Sequence, residues 1–168
     1  EGGDLFRSWR GGTYSAQFGA YNRNKRSVTL NLKTELGREI LGTLIARADV
    51  LLQNFRPGVL DRIGFTQVEL TRRNPRLVYC SISGFGNSGP YRDRPAYDTV
   101  AQGLAGVSSL FLDPAHPQFT GPTVVDNATG LYACYGILGA LLERERTGGG
   151  LRPGPLAAAV GGVHALAS

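Results

Sequence analysis

Two short apolar segments that flank a helical segment constrain the fold of this chain more than any other feature. Asp49 to Gln53 (DVLLQ) and Arg76 to Ser83 (RLVYCSIS) are too short for core helices, and their residue types predict buried strands. Between them, Thr66 is a candidate N-cap for a helix over about residues 67–73. Strand, helix and strand in this order predict a parallel sheet, so the predicted fold class is α/β.

Further elements extend this alternation on both sides. Ser27 to Leu32 (SVTLNL) alternates apolar and polar residues, which predicts another short strand. Thr34 resembles an N-cap, and the apolar spacing after it predicts a helix over about residues 35–47. Gly84 to Pro95 predicts a loop with tight glycine turns, and residues 97–110 predict one continuous helix.

The longest helix is predicted to begin at Asp126 and to end before the glycines at residues 148–150. Its large apolar residues recur at helical spacing and predict one stripe against the core. The stripe comprises Leu131, Cys134, Tyr135, Leu138, Leu141 and Leu142. Cys80 and Cys134 are predicted to be inert buried thiols. After residue 150 the composition shifts to Gly, Ala and Pro, so residues 151–168 are treated as a separate tail that is compatible with a helix.

The composition is that of a folded protein and excludes several classes. Hydrophobic residues make up 42% and charged residues 18% of the 168 residues, which allows a core and argues against disorder. No apolar run has the length that a membrane-spanning helix needs. Two cysteines supply neither a disulfide framework nor a four-ligand zinc site. The chain has no Met, from which we expect a fragment that lacks its true start.

The positive charge is concentrated near the N-terminus. Lys and Arg number 18 and Asp and Glu 13, giving a net charge of +5. Between Asp4 and Glu35 there is no acidic residue, whereas six residues carry positive charge: Arg7, Arg10, Arg23, Lys25, Arg26 and Lys33. Such a segment is typical either of a binding site for an anionic ligand or of a solvated basic face. The absence of RNA-binding aromatic motifs and metal-finger spacing argues against nucleic acid.

Asp126 is the candidate for chemistry that the residues themselves suggest. It follows two β-branched residues and lies at the predicted start of a long helix, where free N–H groups and the helix dipole stabilise an anion. From the pattern alone, N-capping is the favoured explanation of this position, and a catalytic role is the alternative. His116 and His164 have no partner at ligand or triad spacing, and the chain contains no G-x-S-x-G, P-loop or H-E-x-x-H motif.

Five segments carry more specific motifs, in a fixed order. They are Asn22–Lys33 (NRNKRSVTLNLK), Asp49–Gly58 (DVLLQNFRPG), Asn74–Pro90 (NPRLVYCSISGFGNSGP), Asp126–Gly130 (DNATG) and Arg144–Gly148 (RERTG). Over residues 1–150 they resemble the motifs of family III CoA-transferases (the CaiB/BaiF family), the group of formyl-CoA transferase, carnitine CoA-transferase and the α-methylacyl-CoA racemases. The resemblance implies part of a Rossmann-like large α/β domain with a parallel sheet, truncated at both ends. Residues 1–150 would be its CoA-binding and catalytic portion.

The resemblance also implies a mechanism and a binding site. In this family the aspartate at the position of Asp126 attacks an acyl-CoA thioester, forms a mixed anhydride and then carries CoA as an aspartyl thioester. Coenzyme A is thus a substrate, and no metal is expected. The residues implied to contact it are Leu30, Asn31, Leu32, Lys33, Asn54, Phe55, Arg56, Arg62, Pro95, Ala96, Tyr97 and Asp98. Lys33, Arg56 and Arg62 would face its phosphates.

The resemblance favours CoA transfer over racemisation. Racemases of the group use a His/Asp pair within a G-H-D motif, and this chain has Ala96-Tyr97-Asp98 there. The implied activity is an acyl-CoA:carboxylate CoA-transferase, an enzyme that transfers a sulfur-containing group. The alternatives are a 2-methylacyl-CoA racemase and an inactive CoA-binding fragment. The expected partners are an acyl-CoA, a carboxylic acid and a second copy in an interlocked homodimer; no nucleic acid or membrane is expected, and the expected location is the cytoplasm.

Overall fold

The computed structural model describes residues 3–8, 14–113, 115–116, 123–148 and 160–161. The chain divides into two compact units, Glu1–Asn31 and Leu32–Ser168. In the first, a 3₁₀ turn at Leu5–Ser8 precedes helix α1 (Ala16–Tyr21), which is capped by the Ser15 hydroxyl. Phe18 of α1 is buried beneath the Arg7 guanidinium, whose carbon lies 4.4 Å from the ring centre. A cation–π contact therefore stabilises this small unit.

The second unit contains the sheet and most of the helices. Its elements are α2 (Glu35–Arg47), β1 (Val50–Gln53), α3 (Val59–Arg62), α4 (Gln67–Arg73), β2 (Val78–Ser83), α5 (Asp98–Leu104), α6 (Val124–Thr147) and β3 (Val160–Gly161). Strands β1 and β2 are parallel, with Val50 opposite Val78 and Gln53 opposite Ser81. Strand β3 pairs with β2, also in parallel. The predicted α/β fold with a parallel sheet is confirmed.

Two of the predicted elements are wrong or altered. Residues 27–32 form no strand. Val28 is 65% exposed, so the alternation that predicted a strand does not reflect a buried face. The helix predicted over residues 97–110 is divided, because Gly106 adopts a left-handed backbone (φ +75°) that ends α5 and starts a 3₁₀ turn at Val107–Leu110.

The core of the larger unit lies among α2, α3 and α4, next to the sheet. Its buried members are Ile45, Leu60, Phe65, Leu70 and Leu77. The predicted threonine caps are confirmed, since the Thr34 hydroxyl accepts from the backbone N–H of Gly37 at 3.1 Å and the Thr66 hydroxyl from that of Glu69 at 3.3 Å. Capping fixes the residue at which α2 and α4 each begin. It thereby fixes which of their apolar side chains face the core.

Helix α6 buries a different face from the one predicted. Its buried residues are Val125, Thr129, Ala133, Ala140 and Arg144. Most of the large residues of the predicted stripe (Leu131, Tyr135, Leu138 and Leu142) are exposed, as is Cys134, whereas Cys80 is buried as predicted. Small side chains allow the backbone of α6 to lie close to β2 and α5, which it contacts. Helical spacing identified the helix, but the largest side chains did not mark its buried side.

The C-terminal end of α6 is fastened to the sheet by Arg144. Its guanidinium donates to the backbone carbonyl of Arg76 at 2.9 Å and to Oδ1 of Asp49 at 2.8 Å. These two acceptors lie just before β2 and β1, respectively. One arginine therefore ties the last turns of α6 to the start of both strands, and the left-handed Gly148 ends the helix there.

Part of the sequence lies outside the described residues. The tail treated as a separate segment, residues 151–168, is described only at β3. Within the part of the chain that is described, no helix combines the length and the apolar character needed to cross a membrane.

Candidate active site

Asp126 lies in the first turn of α6 but does not cap it. The helix begins at Val124, two residues before the predicted start, with Thr123 as its N-cap residue. Asp126 is therefore the third helical residue, and its side chain is largely accessible. The expectation that Asp126 acts as the N-cap is wrong, because a carboxylate from elsewhere in the chain occupies that role.

The carboxylate of Asp98 caps α6. Its Oδ1 accepts from the backbone N–H of Val125 at 2.9 Å and from that of Asp126 at 3.0 Å. Its other oxygen accepts a hydrogen bond from the side-chain amide of Gln102, one turn further along α5. Asp98 is only 7% exposed, which is unusual for a charged residue that has no cationic partner among these contacts. Its hydrogen bonds to backbone donors fix the orientation of the first turn, which carries Asp126.

Glycines in the preceding loop allow Asp98 to reach this position. Gly86 and Gly89 have positive φ angles (+80° and +87°), so the interpretation of this segment as a tight turn is confirmed. At Gly84 an added Cβ would lie 2.2 Å from the Cβ of Ala96, which is far inside van der Waals contact. Only glycine permits the segment that leads into α5 to approach the end of β2 this closely.

The environment of Asp126 raises the pKa of its carboxyl group. Burial is the larger cause, and the negative charge of Asp98 is the smaller one. The sequence alone indicated that the helix terminus would stabilise the anion. The N–H groups of residues 125 and 126 donate to Asp98 instead, and burial together with the charge of Asp98 gives the shift the opposite direction. Asp126 is thus an accessible but partly desolvated carboxylate, and a carboxylate of raised pKa is, once ionised, a better nucleophile than one of ordinary pKa.

A second feature is a cleft of about 610 Å³ between the start of α2, the loop after β1 and α3. Its lining combines four apolar residues with three basic ones: Leu32, Phe55, Val59, Ile63, Lys33, Arg38 and Arg62. Apolar surface with a few convergent charges is typical of sites that bind an aromatic ring carrying phosphates.

The local sequence explains how the cleft is built. Arg38, in the first turns of α2, donates to the backbone carbonyls of Lys33 at 3.0 Å and Leu32 at 3.4 Å, which holds the turn before the helix. On the other side, Gly58 adopts a left-handed backbone (φ +76°) and accepts from the backbone N–H of Arg62 at 3.1 Å. This glycine starts α3 and thereby brings Arg62 to the cleft.

The structure brings together only some of the residues implied to contact CoA. Leu32, Lys33, Phe55 and Arg62 line the cleft. Sequence reasoning missed Arg38, Val59 and Ile63, which share it. A basic residue in the first turns of a capped helix, a few positions after Lys33, was the available signal for Arg38. Asn54 and Arg56 are exposed on the loop after β1 and do not line the cleft, and Leu30 and Asn31 belong to the first unit.

The remaining predicted contacts lie around the start of α5. Pro95 is exposed, Ala96 packs against Gly84, and Tyr97 is 78% exposed directly before the helix. Asp98 follows with the buried cap described above, a role that the sequence did not indicate. In the described part of the chain, no cluster of three or more His, Cys, Asp or Glu side chains has the arrangement of a metal site.

Comparisons with known proteins agree with this architecture. The model of the family described as CoA-transferase family III matches residues 1–152. A formyl-CoA:oxalate CoA-transferase of Streptomyces avermitilis is 50% identical over 139 residues, 82% of this chain and 34% of the relative. The succinyl-CoA–L-malate CoA-transferase beta subunit of Chloroflexus aurantiacus is 43% identical over 156 residues, 89% of this chain and 38% of the relative.

A solved structure extends the likeness to the fold. A CaiB/BaiF family protein from Brucella suis matches with a TM-score of 0.79 and 41% identity, over 95% of this chain and 45% of that one. The chain thus spans little more than a third of the length of the curated relatives above, from 34% to 38%. The family model covers nine-tenths of the residues, and the parallel sheet agrees with it. The chain therefore belongs to the family III CoA-transferases.

Proposed function

We propose that the protein transfers coenzyme A from an acyl-CoA to a carboxylic acid, with Asp126 as the nucleophile. The observation that supports this most directly is the state of Asp126: an accessible carboxylate whose pKa is raised by burial and by the charge of Asp98. A structural cap would have its pKa lowered by the backbone N–H groups that it binds. A nucleophilic carboxylate instead gains from weak solvation and from a fixed orientation.

The proposed chemistry has two symmetrical halves. A carboxylate oxygen of Asp126 attacks the thioester carbonyl, the C–S bond breaks, and CoA leaves as a thiolate, which leaves a mixed anhydride between Asp126 and the donor acyl group. The thiolate then attacks the Asp126 carbonyl carbon, which releases the donor acid as a carboxylate and leaves an aspartyl-CoA thioester. In the second half, the acceptor carboxylate attacks the aspartyl-CoA thioester, which forms a second mixed anhydride and releases the CoA thiolate. The thiolate then attacks the carbonyl carbon of the acceptor, which leaves as its CoA thioester and regenerates the Asp126 carboxylate. No proton is consumed and no redox partner is needed.

The cleft supplies the proposed site for the nucleotide end of CoA. Phe55 and its apolar neighbours offer a surface for the adenine ring, while Lys33 and Arg62 offer charges for phosphates. Arg56 and Asn54 on the adjoining loop are proposed to complete the contacts, whereas Leu30 and Asn31, in the first unit, stay predictions that follow from the resemblance. Pro95 to Asp98 are proposed to border the passage from the nucleotide to Asp126.

The first test is CoA exchange by the purified protein. Named relatives act on formyl-CoA with oxalate and on succinyl-CoA with L-malate, so these pairs head the substrate panel. Asp126→Ala is expected to abolish exchange of a radiolabelled carboxylic acid into its CoA thioester. Asp93→Ala is the matched control, because Asp93 is an exposed loop residue with an 85% accessible side chain.

The outcomes separate the possible activities. Normal turnover by the Asp126→Ala variant would remove Asp126 from the catalytic role. Incorporation of deuterium at the α-carbon of a 2-methylacyl-CoA, without transfer of CoA, would instead establish the racemase alternative. Binding of CoA without either reaction would establish a CoA-binding fragment. The interlocked homodimer, the cytoplasmic location and the absence of a metal remain predictions that follow from the resemblance.

A further inference from the structure

Gln53, the last residue of β1, connects the sheet to the loop that borders the cleft. Its side-chain amide nitrogen donates to the hydroxyl oxygens of Tyr79 at 3.1 Å and Ser81 at 2.6 Å, both on β2. Its amide oxygen accepts from the backbone N–H of Phe55 at 2.7 Å. We propose that Gln53 is a positioning residue that fixes Phe55 in the nucleotide cleft, an inference that rests on the proposed function.

The orientation of the Gln53 amide is determined by its partners. A backbone N–H can only donate, so the atom that faces Phe55 must be the amide oxygen. The amide nitrogen must then face β2, where two hydroxyl groups accept from it. Every polar atom of the side chain is therefore used, and a rotation of the amide would place two donors against each other at Phe55.

The two hydroxyl groups are themselves held in place. Ser81 is buried, and it lies opposite Gln53 in the parallel register of β1 and β2. Tyr79 packs against the buried core cluster of the larger unit. The hydrogen bonds thus run from a rigid part of the molecule through Gln53 to the exposed loop, and they end at the backbone of a residue that lines the cleft.

Without this connection, the loop after β1 would have greater freedom. Phe55 is 45% exposed, so the position of its ring depends strongly on the backbone that carries it. A glutamate at residue 53 would preserve the arrangement, because one carboxylate oxygen still accepts from Phe55 and the hydroxyls can rotate to donate to the other. A methionine has a similar shape but cannot accept from the N–H of Phe55.

Three variants test the proposal by amide hydrogen exchange at Phe55 and by titration with CoA itself. In Gln53→Met the Phe55 N–H is expected to exchange faster, and the dissociation constant for CoA is expected to rise about tenfold. Gln53→Glu is expected to stay within about threefold of the wild type in both readouts. Gln67→Met is the matched control, since Gln67 is an exposed residue of α4 away from the cleft lining.

Kinetics give a readout that general destabilisation does not mimic. The Met variant is expected to raise KM for the acyl-CoA and to leave kcat at saturation near the wild-type value. If it does not fold, Tyr79→Phe removes one of the two acceptors and keeps the packed ring, and a faster exchange at Phe55 is expected there as well.

The results that would overturn the inference differ from those that would overturn the proposed function. Unchanged Phe55 exchange in the Met variant, or unchanged CoA affinity despite faster exchange, contradicts the role of Gln53. A wild-type chain that does not bind CoA contradicts the proposed function, while the exchange measurement still decides whether Gln53 holds Phe55.

Discussion

The two ends of α6 use charged side chains in opposite ways. At the C-terminal end, the side chain of Arg144 is 9% exposed; its guanidinium pairs with the carboxylate of Asp49 and donates to the carbonyl of Arg76. At the N-terminal end, the Asp98 carboxylate is buried next to a second carboxylate, Asp126. Opposite charges meet at one end of the helix and like charges at the other.

The difference separates a structural end from a functional one. The positive charge of Arg144 interacts favourably with the C-terminal end of the helix dipole, and its guanidinium satisfies the backbone carbonyl of Arg76. This arrangement therefore stabilises the fold. The pair of carboxylates has a cost, since burial and Asp98 both disfavour the ionised form of Asp126. The contacts at the C-terminal end of the helix offset that cost. A locally unfavourable arrangement that is offset elsewhere in the structure is expected at a functional site.

Among changes that keep Asp126, the largest expected effect comes from removing the cap on the functional end. Asp98→Ala leaves the N–H groups of Val125 and Asp126 without their acceptor, and the first turn of α6 loses its fixed orientation. We expect kcat for CoA transfer to fall about a hundredfold, which is the typical cost of a misplaced catalytic group. Asp98→Asn retains an oxygen acceptor and is expected to lose less. Equal losses in the two variants would contradict an orienting role.

The next effect concerns the structural end. Arg144→Met removes charged hydrogen bonds to Asp49 and Arg76, and the free energy of unfolding is expected to fall by about 2–3 kcal/mol. Arg146→Met, at an exposed site on the same helix, is expected to change it by less than about 0.5 kcal/mol. Chemical denaturation measures both. A kcat that falls as much in Arg144→Met as in Asp98→Ala would contradict the division between the two ends.

A smaller effect tests which face of α6 is packed. Ala140 is completely buried, so Ala140→Leu is expected to cost about 1–3 kcal/mol of unfolding free energy through overpacking. Leu138→Ser on the exposed face is expected to change it by less than about 0.5 kcal/mol. A larger loss of unfolding free energy in Leu138→Ser than in Ala140→Leu would indicate that the face predicted from the sequence is the packed one.

The smallest expected effect is a shift in pH dependence. Asp126 must be ionised to attack, and its pKa is raised, so the acid limb of the kcat profile should lie above the ordinary aspartate value of 3.8. Asp98→Asn removes the smaller cause, and the limb should move to lower pH yet remain above that value, because burial persists. A limb that stays in place would show that Asp98 does not act on Asp126 through its charge.

The same pKa determines a change in stability. A carboxyl group with a raised pKa binds more protons in the folded state, so unfolding free energy decreases as pH rises from 3.8 through the raised value. Asp126→Asn abolishes this contribution and should therefore be the more stable protein at neutral pH. Thermal unfolding across pH measures the difference between the two proteins.

Local sequence signals predicted much of the fold but only part of the site. The threonine caps and apolar spacing located α2 and α4, and the apolar segments located β1 and β2, because these signals act over a few residues. Asp98 lies 28 residues before Asp126 in the sequence and still binds the start of α6. The close approach of Gly84 and Ala96 makes this possible. Pairings of this kind depend on tertiary packing, which local spacing does not encode.

The family motifs identified Asp126, but the physical reason for its reactivity required the structure. From the sequence, a helix terminus alone would stabilise its anion. The structure adds a competing acceptor, Asp98, and partial burial, which together reverse the direction of the pKa shift. Likewise, the sequence marked Phe55 as a contact but gave no sign that Gln53 holds its backbone.

The most direct test of the central claim is to identify the residue that becomes covalently modified. The protein is incubated with an acyl-CoA donor, the intermediate is trapped with hydroxylamine, and the digest is analysed by tandem mass spectrometry. Hydroxylamine converts an activated aspartyl group into a hydroxamate, and we predict this modification at Asp126 of the peptide that starts α6. A hydroxamate on a different residue, or its formation in Asp126→Ala as well, would contradict the account.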